Sequence, residues 1–193
     1  MHRTLTVALL SAALVGCSSY RETGESYESE AARDLAEQQR KDAQLETMAA
    51  STMRDFRNRD RTIAPFFDES FGYAVFPKIA KGGAGIGAAA GDGVVYNDAG
   101  EVIGYARMSQ GSIGIQLGGQ SFSQIVFFEN RGAFNSFKAD DMEFSANASA
   151  VAAESGSGAA ADYEEGVAVF VIPREGLMFE AGIGGQKFDY RAK

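Results

Sequence analysis

Residues 81–93, KGGAGIGAAAGDG, carry the spacing that most resembles a chemical device. Glycines let backbone N–H groups close on an anion, and Gly85-x-Gly87-x-x-Ala90 is a loose form of the dinucleotide fingerprint. That fingerprint works only where a strand leads in and a helix begins inside it, so that the helix N-terminus meets the pyrophosphate. Here the strand is present (YAVFP), but the next stretch, GDGVVYNDAG, reads as strand and turn. A phosphate loop needs Lys and Ser/Thr after its glycines, whereas Lys81 precedes them. Twelve of the 23 glycines fall between residues 82 and 119, far beyond any single loop. Glycines so spread in apolar strands mark bends, bulges and close packing in a strongly curved sheet.

The cations are the second candidate. Arg54, Arg57, Arg59 and Arg61 fall within eight residues, tempered by Asp55 and Asp60. Without residues 1–16 the chain carries −9, yet residues 51–81 sum to +2, its only net basic region. A basic amphipathic helix can lie on an anionic lipid surface, each cation near it contributing about 1 kcal/mol. Arg54, Arg57, Arg61, Lys78 and Lys81 are therefore the candidate lipid-contacting residues. The plainer alternative is a solvated face paired with nearby acids.

Other groupings point less far. Asp140, Asp141 and Glu143 cluster, as do Glu164 and Glu165, but glycoside hydrolysis needs carboxylates at set separations, and no Trp is present to stack a sugar. Gln116, Gln120 and Gln124 alternate, as a groove lining or as the wet face of an antiparallel sheet.

Cys17 is the only cysteine. A short positive start at Arg3 precedes an apolar run from Leu5 to Val15, too short to span a bilayer but suited to a signal-peptide core. Then comes Leu14-Val-Gly-Cys17, which resembles the bacterial lipoprotein cleavage box. The resemblance implies a signal peptide over residues 1–16 and acylation of Cys17, palmitate included. Three acyl chains exceed the two-signal threshold for stable anchoring. Ser18, rather than Asp, fits the outer membrane in enterobacterial sorting. The expected location is the outer membrane, lipid-anchored and facing the periplasm.

Cleavage also removes His2, the only histidine. His general bases, Ser-His-Asp and Cys-His arrangements and ordinary His/Cys zinc sites are then excluded. The expectation is a non-enzymatic protein with no catalytic residue, no metal and no cofactor. An acidic chain is a poor nucleic-acid binder.

Composition and periodicity indicate which elements carry these residues. Residues 17–27 are polar and aperiodic and read as a flexible tether. Residues 28–193 read as a single domain, helical over 28–70 and mainly strands over 72–193. Residues 28–61 lack Gly and Pro, and Leu45, Met48, Ala49, Met53 and Phe56 form one stripe at helical spacing, with Arg54, Arg57 and Arg61 opposite. From Gly72 the texture becomes short apolar runs such as GYAVFPK, GVVYN, SIGIQLG, QIVFF and VAVFVIP, bounded by turn residues. Asn97–Gly100 is a hairpin turn candidate, residues 130–141 are helical in character, and residues 145–161 read as an Ala-faced strand and loop. Residues 72–96 echo residues 166–190 at seven positions, so both read as strand–turn–strand units of one sheet.

GYAVFP (72–77), Lys81-Gly82-Gly83, GVVY (93–96), QLGGQSFSQIVFFE (116–129) and Gly166-Val167 with its apolar strand together resemble the SYLF domain family over roughly residues 45–191. The resemblance implies lipid binding, since eukaryotic members bind phosphoinositides and some bind actin, while the family includes bacterial members predicted to be envelope lipoproteins. The family's basic N-terminal stretch has no counterpart here, where residues 28–50 are acidic. The fold expected is α+β: an N-terminal helix packed on a curved, mostly antiparallel, Gly-rich β-sheet, with a partial barrel as the strongest form of that curvature. The function expected is a membrane-anchored lipoprotein binding anionic headgroups of membrane lipids. The alternative is an envelope structural protein with a protein partner and no lipid ligand.

Overall fold

A computed structural model describes residues 18–139, 143–145, 150–152 and 161–193. The chain divides into two compact units at Lys41/Asp42. Helix α1 (Ser18–Arg59) begins in the first. It starts at Ser18, so residues 18–27, expected as a tether, are helical; a single Gly24 costs only about 1 kcal/mol inside a helix of good formers. Residues 29–41 are exposed all round, and Lys41 pairs with Glu37 one turn earlier at 2.6 Å.

In the second unit, α1 buries Ala49, Thr52 and Phe56, with Leu45 and Met53 half-buried. The 3.6-residue spacing predicted this face, with one exception: Met48 is 49% exposed. The helix ends at Arg59 because Asp60 is extended, and its carboxylate accepts from Thr62 N (2.9 Å) and Thr62 Oγ1 (2.6 Å). A 3-10 turn (Arg61–Ile63) and a short helix α2 (Ala64–Glu69) follow, with Pro65 in the first turn of α2, where its missing N–H costs nothing.

Three long strands make the sheet: β1 (Gly72–Asn97), β2 (Val102–Phe128) and β5 (Val167–Ala192), with helix α3 (Arg131–Lys138) and two short strands, β3 (Glu143–Ser145) and β4 (Ala150–Ala152), between β2 and β5. The order is β1-β2-β5-β3, antiparallel, with β4 parallel on β5. The short runs of the sequence thus fuse: glycine bends the strands rather than ending them. The echoing segments 72–96 and 166–190 are each one continuous strand flanking β2, not strand–turn–strand units. Asn97–Gly100 does turn the chain. Gly100 sits at φ 75°, its N–H donates to Asn97 O (3.0 Å), and Asn97 Oδ1 accepts from Glu101 N (2.8 Å).

β1 doubles back alongside itself. Tyr73 and Tyr96 stack at 5.0 Å, although they lie at opposite ends of the strand. A Cβ on Gly93 would meet Val75 O at 2.9 Å and the Phe76 ring at 2.6 Å. The sheet therefore curls. Phe76 meets Phe188 at 5.6 Å, and Gln124 Nε2 donates to Gln186 Oε1 at 3.0 Å, though neither pair is in ladder register. β-Bulges at Phe76/Ile79, Ala84/Ile86 and Val95/Tyr96 assist the bend. The curl stops short of a barrel, because β1 pairs with β2 alone among the described residues.

Two apolar clusters result. One face of the sheet (Tyr73, Val75, Val94, Ile125, Phe127, Phe170) is clad by Ala49 and Phe56 of α1 and by Phe66 and Phe67 of α2. The other (Phe76, Ile79, Met108, Val126, Phe128, Phe188) closes on itself and on Phe134 and Phe137 of α3. Asn130 caps α3, accepting from Ala133 N at 3.1 Å.

Candidate functional site

The sequence candidates divide among three places. Arg54 and Arg57 are exposed on the last turns of α1, and the Arg57 guanidinium lies 4.1 Å over the Phe67 ring. Arg61 is exposed too, but it falls after the break at Asp60, in the 3-10 turn; it does not share a helical stripe with Arg54 and Arg57. Lys78 is exposed at the bulge of β1 that follows Pro77, which has no N–H to give the ladder. Lys81 is half-buried opposite Gln120.

A polar chain crosses from the helix to that bulge. Arg174 Nη2 donates to Thr52 Oγ1 (3.3 Å) and lies 3.5 Å from Asp55 Oδ2. Its Nε donates to Ser123 Oγ, and Ser123 Oγ donates to Pro77 O at 2.7 Å. Thr52 and Ser123 are buried at 1% and 0% exposure, so this is a built network rather than a surface contact. Sequence reasoning missed all three residues. The one available signal was alternation, which puts Arg174 in step with Phe170 and Ile172; the bulge that makes Arg174 the extra residue opposite Ser121 and Phe122 was not legible.

Beside this network a cleft of about 440 Å³ opens, lined by Asp55, Asn58, Arg59, Ile172, Pro173 and Arg174. Its cations are Arg59 and Arg174; none of the five sequence candidates lines it.

A second polar cluster fastens the start of this part of α1. Glu46 Oε1 accepts from Lys193 Nζ (2.8 Å) and from the Tyr105 hydroxyl (2.7 Å), while Arg191 pairs with Asp42 at 2.8 Å. The Lys193 ammonium, then the Tyr105 hydroxyl, hold the Glu46 carboxyl below the ordinary glutamate value. A depressed folded pKa stabilises above the unfolded value, and the gain is lost as pH falls through the folded one. Glu46→Gln should therefore lower the thermal midpoint by about 2–4 °C near neutral pH, for a loss of about 1 kcal/mol. The gap between variant and parent should close as pH falls through the depressed folded value, as melting curves taken from neutral pH into the acid range would show.

The remaining candidates separate. Gln124 does not face water: it is fully buried, in a reciprocal amide pair with Gln186. Gln120 is half-buried. Glu143 pairs in register with Lys187, whereas Asp140 and Asp141 lie outside the described residues, as do Cys17 and residues 1–16. Among the described residues no three acids gather as a metal site, and no helix is long and apolar enough to cross a membrane.

With this geometry in place, the chain was compared with known proteins. Residues 109–193 match the family described as Ysc84, Las17-binding protein actin regulator. Over these residues the chain is similar to SYLF domains. The matched SYLF region takes in most of β2, all of α3 and β5, and hence Ser123 and Arg174 of the polar network. Beta cell expansion factor A of Aeromonas veronii, a SYLF-family protein, is 27% identical over 144 residues, 75% of this chain. The chain spans 55% of that relative's length.

Proposed function

We propose that this protein is a non-enzymatic lipoprotein of the bacterial envelope, anchored through Cys17 to the outer membrane on its periplasmic side, whose SYLF domain binds the anionic headgroups of membrane lipids. The supporting observation is the exposed basic stretch at and just after the end of α1: Arg54, Arg57, Arg59 and Arg61 lie within eight residues and are all exposed, in a chain whose net charge is −8. Similarity to the SYLF family supports a binding role of lipid or actin type in general. An acidic body repelled by anionic bilayers would approach with this stretch first.

The test is co-sedimentation of the full mature chain, with Cys17→Ser to remove the anchor, with vesicles of phosphatidylglycerol or of phosphatidylcholine. Binding should favour phosphatidylglycerol and weaken with salt. Arg54→Glu, Arg57→Glu and Arg61→Glu together should weaken it by at least about 10²-fold, at about 1 kcal/mol per cation lost. Equal, negligible sedimentation with both vesicles would overturn the reading. The family description names Las17 binding, which favours a protein partner as the second reading. Crosslinking that recovered a reproducible envelope protein, with no vesicle binding, would establish it.

A further inference from the structure

We propose that the cleft between the end of α1 and β5 is a binding site for a phosphate ester, held by Arg59 and Arg174. This rests on the lipid-binding reading and names its specific site, distinct from the general attraction of the basic stretch.

The cleft's volume, about 440 Å³, lies at the small end of ligand sites, enough for a phosphate and a glycerol-sized substituent. Two arginines from different elements line it, Arg59 of α1 and Arg174 of β5, beside Asn58, whose side chain carries an amide. Guanidinium is the side-chain group whose planar fork best matches phosphate oxygens. Arg174 is held in place before any ligand arrives: Ser123 takes its Nε, Thr52 one proton of Nη2, and Ser123 is itself tied to Pro77. No hydrogen bond engages Arg174 Nη1 among the described residues. The Asp55 carboxylate is the competitor. At 3.5 Å it is beyond the 2.7–2.9 Å of a strong charge-assisted bond, and both side chains are over a third exposed, so a phosphate can take its place. The lining sums to one positive charge, and Arg54, Arg57 and Arg61 stand near it in the chain, against Asp60, whose oxygen is already bonded to Thr62. The negative end of the α1 dipole opposes an anion, which is why a single arginine would not suffice. Ile172 and Pro173 give the cleft an apolar wall, suited to the carbon side of an ester.

The chemistry fits a lipid headgroup or a soluble phosphate ester, and two arms separate them. The first compares vesicles of equal charge carrying phosphatidic acid or oleic acid. The second titrates glycerol 3-phosphate into the full mature chain with Cys17→Ser by calorimetry. Arg59→Ala changes an exposed residue and should preserve the fold; Arg174→Lys keeps the charge and removes the fork. A lipid site predicts about tenfold preference for phosphatidic acid over oleic acid, lost in both variants. A soluble-ester site predicts glycerol 3-phosphate binding that Arg59→Ala weakens about tenfold, whether or not vesicles bind. Binding to both vesicle types alike, unchanged by Arg59→Ala and with no response to glycerol 3-phosphate, overturns the site and leaves the general lipid reading standing. Absence of binding in both arms overturns both.

Discussion

Phe127→Ala should destabilise the folded protein by about 3–5 kcal/mol, the range for removing a fully buried aromatic ring. Phe127 has no exposed surface and stands where β2 meets α2. Its ring lies 4.9 Å from Phe67, 5.6 Å from Phe66, 5.8 Å from Tyr73 and 5.8 Å from Phe170, so one truncation strips contacts from four aromatics. For a chain of this size each kcal/mol moves the midpoint by about 2–4 °C, so thermal or guanidinium melts should show a fall of about 6–20 °C. The effect also reaches the basic stretch, because Phe67 is the ring beneath Arg57. A loss below about 1 kcal/mol would mean that α2 is not clamped to the sheet through this ring.

Local pattern carried part of the fold. The stripe of Leu45, Ala49, Met53 and Phe56 was legible because a helix repeats its contacts within a few residues. Met48 misled because the true fifth member of that face is Thr52, a polar residue buried beside its bond to Arg174. That partner lies 122 residues away, and no window on the sequence contains both. The candidate site failed for the same reason. Arg54, Arg57 and Arg61 announce themselves as a run, whereas Arg59 and Arg174 become a pair only when β5 passes under the end of α1. Gln124 read as a wet-face residue because alternation says which residues share a face, not whether that face curls onto itself. The strands were legible in kind and not in length. Glycine weakens a strand locally, but a ladder of more than 20 paired residues between β1 and β2 carries the extended backbone across it.

The curl itself has a decisive test in the glycine-rich stretch. Gly91→Ala should cost about 3 kcal/mol or more, and Gly91→Val should cost more still. A Cβ on Gly91 would stand 2.6 Å from Lys78 O, 2.8 Å from Ile79 Cγ1 and 3.1 Å from Ile79 Cα. Two of those atoms are backbone, so relief requires moving the strand rather than rotating a side chain. All three belong to the first half of the same strand, which a straight β1 would hold about 40 Å away at 3.3 Å per residue. Gly111 is the control. It lies at the centre of β2, yet a Cβ there meets nothing within 4 Å, and its φ is not positive. Gly111→Ala should be neutral or stabilise by about 0.4–1 kcal/mol, through the unfolded chain. Both residues sit in apolar, glycine-dense sequence, and propensity treats the two substitutions alike. Denaturation midpoints that separate them by about 3 kcal/mol would therefore measure contact between the two halves of β1. Equal midpoints would mean that the halves stand apart and that these glycines are only weak strand formers. In the curled sheet Gly83, Gly91 and Gly93 of KGGAGIGAAAGDG are places where the strand rests against itself with no room for a Cβ, which gives glycine a packing role in this stretch.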